Sequence, residues 1–109
     1  MIRENYIFRR LYHKGRRLFS PCLTVYYLGA KNRGDNRLGI TATKKIGGAV
    51  TRNRARRVIL EAYRLLEPQA PGGLDIVIVA RPEAASVKMQ VVQGQLSRLF
   101  KKMSQRDNK

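Results

Sequence analysis

A chain of 109 residues is long enough for one compact domain and too short for two ordinary ones. At 43% hydrophobic it can build a core, yet 23 Lys and Arg face 7 Asp and Glu, a net charge of +16. That excess repels itself in the compact state and points to a polyanionic partner, with an anionic membrane surface also open on charge alone. Arginine outnumbers lysine about two to one, which favours planar, bidentate contact with phosphate. A lone cysteine, Cys22, and a lone histidine, His13, exclude a disulfide framework or zinc site within one chain. The opening "MIRENYIFRR" has no apolar signal region and no stretch reaches transmembrane length, so a soluble cytoplasmic protein is expected.

Residues 5–14, "NYIFRRLYHK", place Ile7 and Leu11 on one helical edge and Phe8 and Tyr12 on the next, with Gly15 as a stop. "CLTVYYL" after Pro21 is β-branched and aromatic and predicts a strand. "GAKNRGDNR" suits a hairpin loop, returning through the strand "LGITAT" with Leu38, Ile40 and Ala42 on one face. After "KKIGGAV", Thr51 suits a helix N-cap, and Ala55, Val58, Ile59, Ala62, Leu65 and Leu66 form one apolar stripe that ends before Pro68. "LDIVIVA" from Leu74 is a continuous apolar run, as expected of a strand covered on both faces. From about Ser86, Val92, Leu96, Leu99, Phe100 and Met103 predict a closing helix, with residues 104–109 a frayed tail. One α+β domain over 1–109 follows.

The seven acids, Glu4, Asp35, Glu61, Glu67, Asp75, Glu83 and Asp107, are scattered, which argues against a metal-dependent protein nuclease or a tuned acid–base pair. No catalytic or metal-ligating residue is expected. Cations, by contrast, concentrate: between Asp35 and Glu61 there is no acid, while Arg37, Lys44, Lys45, Arg52, Arg54, Arg56 and Arg57 all fall there. A helix start already carries about half a positive charge, so a helix beginning at Thr51 would be loaded against its own dipole. On a helical wheel Asn53, Arg57 and Arg64 lie opposite the apolar stripe, with Arg52 and Arg56 on one flank and Arg54 on the other. Phosphates held by guanidinium groups and first-turn N–H groups would relieve that repulsion. Phe8, Tyr12 and Tyr26 neighbour these cations, and each ring suits either base stacking or the core.

The segment "KKIGGAVTRNRARR" resembles the basic motif of the protein component of bacterial ribonuclease P, and "FRRLYHKG", "VYYLG", "RLGITATKKIG" and "IVIVARP" extend the resemblance over most of the chain. The resemblance implies an αβββαβα order with a short extra strand near "RRLFS". It further implies a mostly antiparallel sheet, and a left-handed crossover through the arginine helix joining "LGITAT" to "LDIVIVA". That fold is shared with the second domain of a small-subunit ribosomal protein, and its crossover defies the usual right-handed rule. Its implied function is to help a catalytic RNA remove the 5′ leader from precursor tRNA, raising the affinity of the assembly for substrate and magnesium. Mg²⁺ would be held mainly by the RNA and no cofactor by the protein alone. Partners would be the catalytic RNA and precursor tRNA, with no membrane and no obligate protein partner.

By position, Lys45, Arg52, Asn53, Arg54, Arg56 and Arg57 would meet the catalytic RNA, with Asn53 alternatively serving the fold through backbone hydrogen bonds. Phe8, Tyr12 and Tyr26 match the aromatic positions of the leader cleft. Leu60 departs from the pattern, since many relatives carry a cation there. Two rival classes predict different behaviour: a ribosomal-type scaffold needs no leader groove, and a self-sufficient nuclease would cleave without RNA.

Overall fold

The computed structural model describes residues 5–29, 36–70 and 72–107, with side chains to Ser104. Helix α1 (Asn5–Lys14) covers the predicted span and buries Ile7 and Leu11, the expected pair. A Cβ on Gly15 would stand 2.5 Å from the Leu11 carbonyl oxygen and 3.1 Å from that of Tyr27, so only glycine lets the chain turn there. The chain passes straight into β1 (Arg16–Phe19) and then β2 (Leu23–Gly29), an antiparallel pair in which Arg17 lies opposite Tyr26 and Phe19 opposite Thr24.

The next strand, β3 (Arg37–Thr41), does not return against β2 as a hairpin. The sheet order is β1-β2-β4-β3: β4 (Leu74–Ala80) inserts between them, antiparallel to β2 and parallel to β3. The loop expected to make the hairpin lies mostly at 30–35, outside the described residues. Two clamps at the start of the parallel pair favour β4 as the partner of β3. The Asn36 side-chain oxygen accepts the Leu74 N–H at 2.8 Å, and the Arg37 guanidinium grips buried Asp75 through two bonds of 2.8 and 2.9 Å. A bidentate pair of this kind fixes register as well as adding energy. The β3–β4 connection runs through α2 (Ala49–Leu66), so the βαβ crossover implied by the resemblance is present, in an αβββαβα order.

The long closing helix, α3 (Met89–Asp107), starts three residues later than predicted: a short 3₁₀ turn, Pro82–Ala85, is followed by non-helical chain at 86–88. It remains helical to Asp107, beyond Ser104 where a tail was expected. Its apolar stripe is as read: Val92, Leu96, Leu99, Phe100 and Met103 are all buried. With α2 they cover one face of the sheet, packing on Leu23, Val25, Tyr27, Ile76 and Ile78. The opposite face carries α1 alone, where Ile7 and Leu11 close over Val77 and half-buried Phe8, Tyr26, Leu28 and Val79 surround them. Strand β4 is thus covered on both sides, as its unbroken apolar run predicted.

One stripe residue was misassigned: Leu65 is exposed, and Tyr63 is buried in its place, its ring edge-on to Phe100 at 6.0 Å. Tyr63 sits nearer the centre of the buried arc because that arc is shared between the sheet and α3. Phenol and indole rings are easily placed there when the hydroxyl finds a partner, and Asn36 supplies one.

Candidate nucleic-acid interface

The basic motif begins in a 3₁₀ turn, Lys44–Ile46, that leaves Lys45 exposed at the end of β3. Gly47 follows with φ of 142°, a left-handed conformation that glycine adopts without strain, and it turns the chain sharply into α2. The helix N-cap is therefore Gly48, and Thr51 is a first-turn residue packed over Gly47 rather than the cap. The backbone N–H of Arg52 is bonded to the Gly48 carbonyl at 3.0 Å. This corrects the expected placement of the arginines: they occupy the second and third turns. The dipole effect fades within the first turn, so the remaining strain is mutual repulsion among the cations. No side chain caps the helix start and no acid lies in its first turn.

The arginines divide by direction. Asn53, Arg56 and Arg57 meet with Val50 around an open depression of about 360 Å³. There the Asn53 side-chain oxygen accepts a hydrogen bond from Arg56 Nη2, so Asn53 orients a guanidinium instead of bonding the backbone. Arg54, on the other flank, donates from Nη1 to the Ala85 carbonyl at 2.6 Å and ties α2 to the 3₁₀ turn before α3. Arg52 is half-buried, and its Nε is enclosed with no hydrogen-bond partner among the described residues. Leu60 packs against the core as a half-buried residue, so the departure from the pattern is an apolar contact.

The aromatic residues gather on the opposite face of the sheet. Tyr12 stands edge-on to Tyr26 with ring centroids 4.9 Å apart, and Phe8 lies 6.4 Å from Tyr12 at a tilt of 34°. All three rings keep solvent access, Tyr12 the most at 44%. These three form a ladder along the α1 edge, beside half-buried Leu28 and Val79 of the sheet. Strand parity accounts for Tyr26, which faces α1, while Tyr27 faces the opposite core and is buried.

Sequence reading assigned nothing to Arg17 and Phe19. They alternate on β1, share the α1-side face with Tyr26, and are both exposed; the Arg17 Cζ lies 4.6 Å from the Phe19 ring centroid. The signal was available in "RRLFS", where a cation and a ring two residues apart must share a face once the segment is a strand. Sequence reading also left unassigned the Arg37–Asp75 pair, whose members are 38 positions apart.

The family profile described as Ribonuclease P matches residues 1–104. The Ribonuclease P protein component of Clostridium botulinum (strain Loch Maree / Type A3) is 41% identical over 103 residues, spanning 93% of this chain and 91% of the relative. That of Thermoanaerobacter sp. (strain X514) is 34% identical over 93% of this chain and 86% of its own. The fold matches the Staphylococcus aureus RNase P protein with a TM-score of 0.80 at 31% identity, over 94% of this chain and 93% of that one. The RNase P protein from Thermotoga maritima gives 0.79 at 27% identity, over 87% and 89%. A basic helix after a glycine turn, on a sheet whose other face bears an aromatic ladder, is thus accompanied by similarity along nearly the whole length: the chain belongs to the ribonuclease P protein family.

Proposed function

We propose that this chain is the RNA-binding protein subunit of a ribonucleoprotein endonuclease and assists a catalytic RNA in removing the 5′ leader of precursor tRNA. The observation that carries the reading is the division of labour across the sheet: arginines on one side, a solvent-accessible ladder of Phe8, Tyr12 and Tyr26 on the other. Two RNA segments can then be held at once. Lys45, Arg52, Asn53, Arg54, Arg56 and Arg57 face the folded catalytic RNA, whose phosphates supply the missing negative charge. The aromatic ladder takes unpaired leader bases, which stack on rings irrespective of their sequence.

Within the basic group the roles are graded. Arg56, oriented by Asn53, and Arg57 present guanidinium forks at the open depression. Arg54 spends one of its donors on Ala85 and contributes charge more than a bidentate grip. Magnesium belongs to the RNA in this reading. By holding the leader and screening phosphate repulsion the protein lowers the magnesium needed for substrate binding.

Reconstitution with a bacterial ribonuclease P RNA at low magnesium tests the proposal. Addition of this protein should restore cleavage at the mature 5′ end, and protein free of RNA should cleave nothing. Failure to associate with that RNA at moderate salt, or hydrolysis by the protein alone, would overturn it.

A further inference from the structure

We infer that the exposed edge of β1, centred on Arg17 and Phe19, is a further binding site for single-stranded RNA that prolongs the leader track beyond Tyr26. The inference rests on the leader reading of Phe8, Tyr12 and Tyr26 proposed above.

Three observations carry it. First, the surface is continuous: Arg17 is the cross-strand partner of Tyr26, and the same face of the sheet leads from the ring ladder onto the neighbouring strand. Second, Phe19 is 53% exposed, although it stands in a strand whose other apolar residue, Leu18, is buried. Its ring is held by the Arg17 guanidinium 4.6 Å from the centroid, which orients one face and leaves the rest open to solvent. Third, the charge suits a polyanion. Phe19 also rims a groove of about 200 Å³ that includes Arg98 and Lys102 of α3 and no acid.

A ring stacked on one cation, Arg17, with Arg98 and Lys102 lining the groove at its rim, offers the means by which unpaired strands are gripped, stacking for the base and cations for the backbone. A solvated edge strand needs charge to discourage pairing with another sheet, and Arg16 and Arg17 suffice for that; an exposed phenylalanine on such an edge works against it. The sheet order gives the direction. Lys45 and the start of α2 follow β3 at one edge, and β1 is the other. A strand that enters beside the basic motif and crosses over Tyr26 leaves across β1, so the occupant is the leader segment farthest from the cleavage site.

The test uses the holoenzyme reconstituted with catalytic RNA and three ligands: mature tRNA, precursor with a leader trimmed to the Phe8–Tyr26 ladder, and precursor with a longer leader. Phe19→Ala should weaken the long-leader precursor about five-fold or more, the lower end for loss of one stacked base, and leave the other two unchanged. Phe19→Trp should keep full affinity, and Arg17→Ala should lose part of the same increment. Phe8→Ala should weaken both precursors. If Phe19→Ala binds all three RNAs like the wild type while Phe8→Ala discriminates, the edge site is refuted and the leader cleft stands. If Phe19→Ala weakens all three equally, the edge serves the fold or the catalytic RNA, and the inference is equally overturned. If Phe8→Ala does not distinguish precursor from mature tRNA, the cleft reading falls and takes this one with it.

Discussion

The two faces of the sheet are built on different scales. On the α2–α3 side, side chains from four strands and two long helices close into one core, with Leu23, Val25, Ile59, Ile76, Ile78 and Leu96 wholly excluded from water. On the α1 side three residues, Ile7, Leu11 and Val77, are buried together beneath a ten-residue helix. Stability is lodged on one face, and the other keeps its rings accessible because so little covers them. The basic motif belongs to the stable side: α2 is anchored by Ala55, Ile59, Ala62, Tyr63 and Leu66, so its outward arginines ride on a rigid support. The aromatic ladder belongs to the thin side, where its rings keep access to solvent.

The largest effect that would break this contrast is in the core. Leu96→Ala should lower unfolding free energy by about 3–5 kcal/mol, since the enclosed site cannot collapse around the lost atoms. Leu11→Ala, though equally buried, should cost about 2 kcal/mol, because a single helix at the surface can settle into the space. Urea titrations of the two variants measure the difference. Equal losses would mean that the faces are energetically alike, and the argument from thin cover would be lost.

Next in size is the substrate effect on the thin face. Phe8→Ala should weaken precursor tRNA binding by the loss of one stacking contact, about 1–3 kcal/mol, roughly five- to a hundred-fold, and leave mature tRNA nearly unchanged. Equal loss with both RNAs would reassign Phe8 to packing against Ile7 and Val77. On the basic side the corresponding change is smaller and electrostatic. Arg56→Ala should weaken binding to the catalytic RNA and make its salt dependence shallower by about one unit of slope. Asn53→Ala should reproduce part of that loss, since Asn53 carries no charge and acts by orienting Arg56. If Asn53→Ala left affinity and slope unchanged, the orientation would be dispensable.

Much of this was legible in the sequence wherever the information is local. The α1 pair, the stripe of α3 and the two-sided burial of β4 follow from periodicity along the chain, whereas β1 was expected only from the resemblance. The misplaced features depend on partners distant in sequence. Whether β3 pairs with β2 or β4 is decided by Asn36 and Arg37 reaching Leu74 and Asp75, 38 positions away, which no periodicity encodes. The start of α2 shifted because the φ of Gly47 sets the turn, and "GG" alone does not say which glycine carries it. Leu65 and Tyr63 exchanged roles because α3 widens the buried arc. Of the candidate site, residue types were legible and their directions were not: nothing in "TRNRARR" says that Arg54 reaches back to Ala85 while Arg56 and Arg57 face outward.

The smallest expected effect is a pH dependence that separates the faces by their titrating groups. Cys22 and Tyr63 both lie in the large core. Burial pushes the Cys22 thiol above its ordinary value of 9.0, with a side-chain hydrogen bond to Gln95 opposing and the charge of Glu83 reinforcing. Burial likewise raises Tyr63 above 10.0, opposed by its hydrogen bond with Asn36 and reinforced by Glu67. For each group the folded state retains its proton at a pH where the unfolded chain has released it. The contribution to stability is therefore intact below the unfolded pKa, falls as pH climbs past that value, and is exhausted once the folded pKa is passed. Cys22 should act first, above about pH 9, with Tyr63 following above pH 10. Rising pH also makes so basic a chain less positive, which relieves repulsion and works in the opposite direction. The slope of stability against pH in wild type is thus a sum of opposed terms, and the comparison with Cys22→Ala isolates one of them. Between pH 8.5 and 10 the wild type should lose stability relative to that variant, whatever their absolute values, while Leu11→Ala should track the wild type. A parallel course for wild type and Cys22→Ala would mean that the thiol ionises in the folded core as readily as outside it, and that this layer is less tightly closed than its packing indicates.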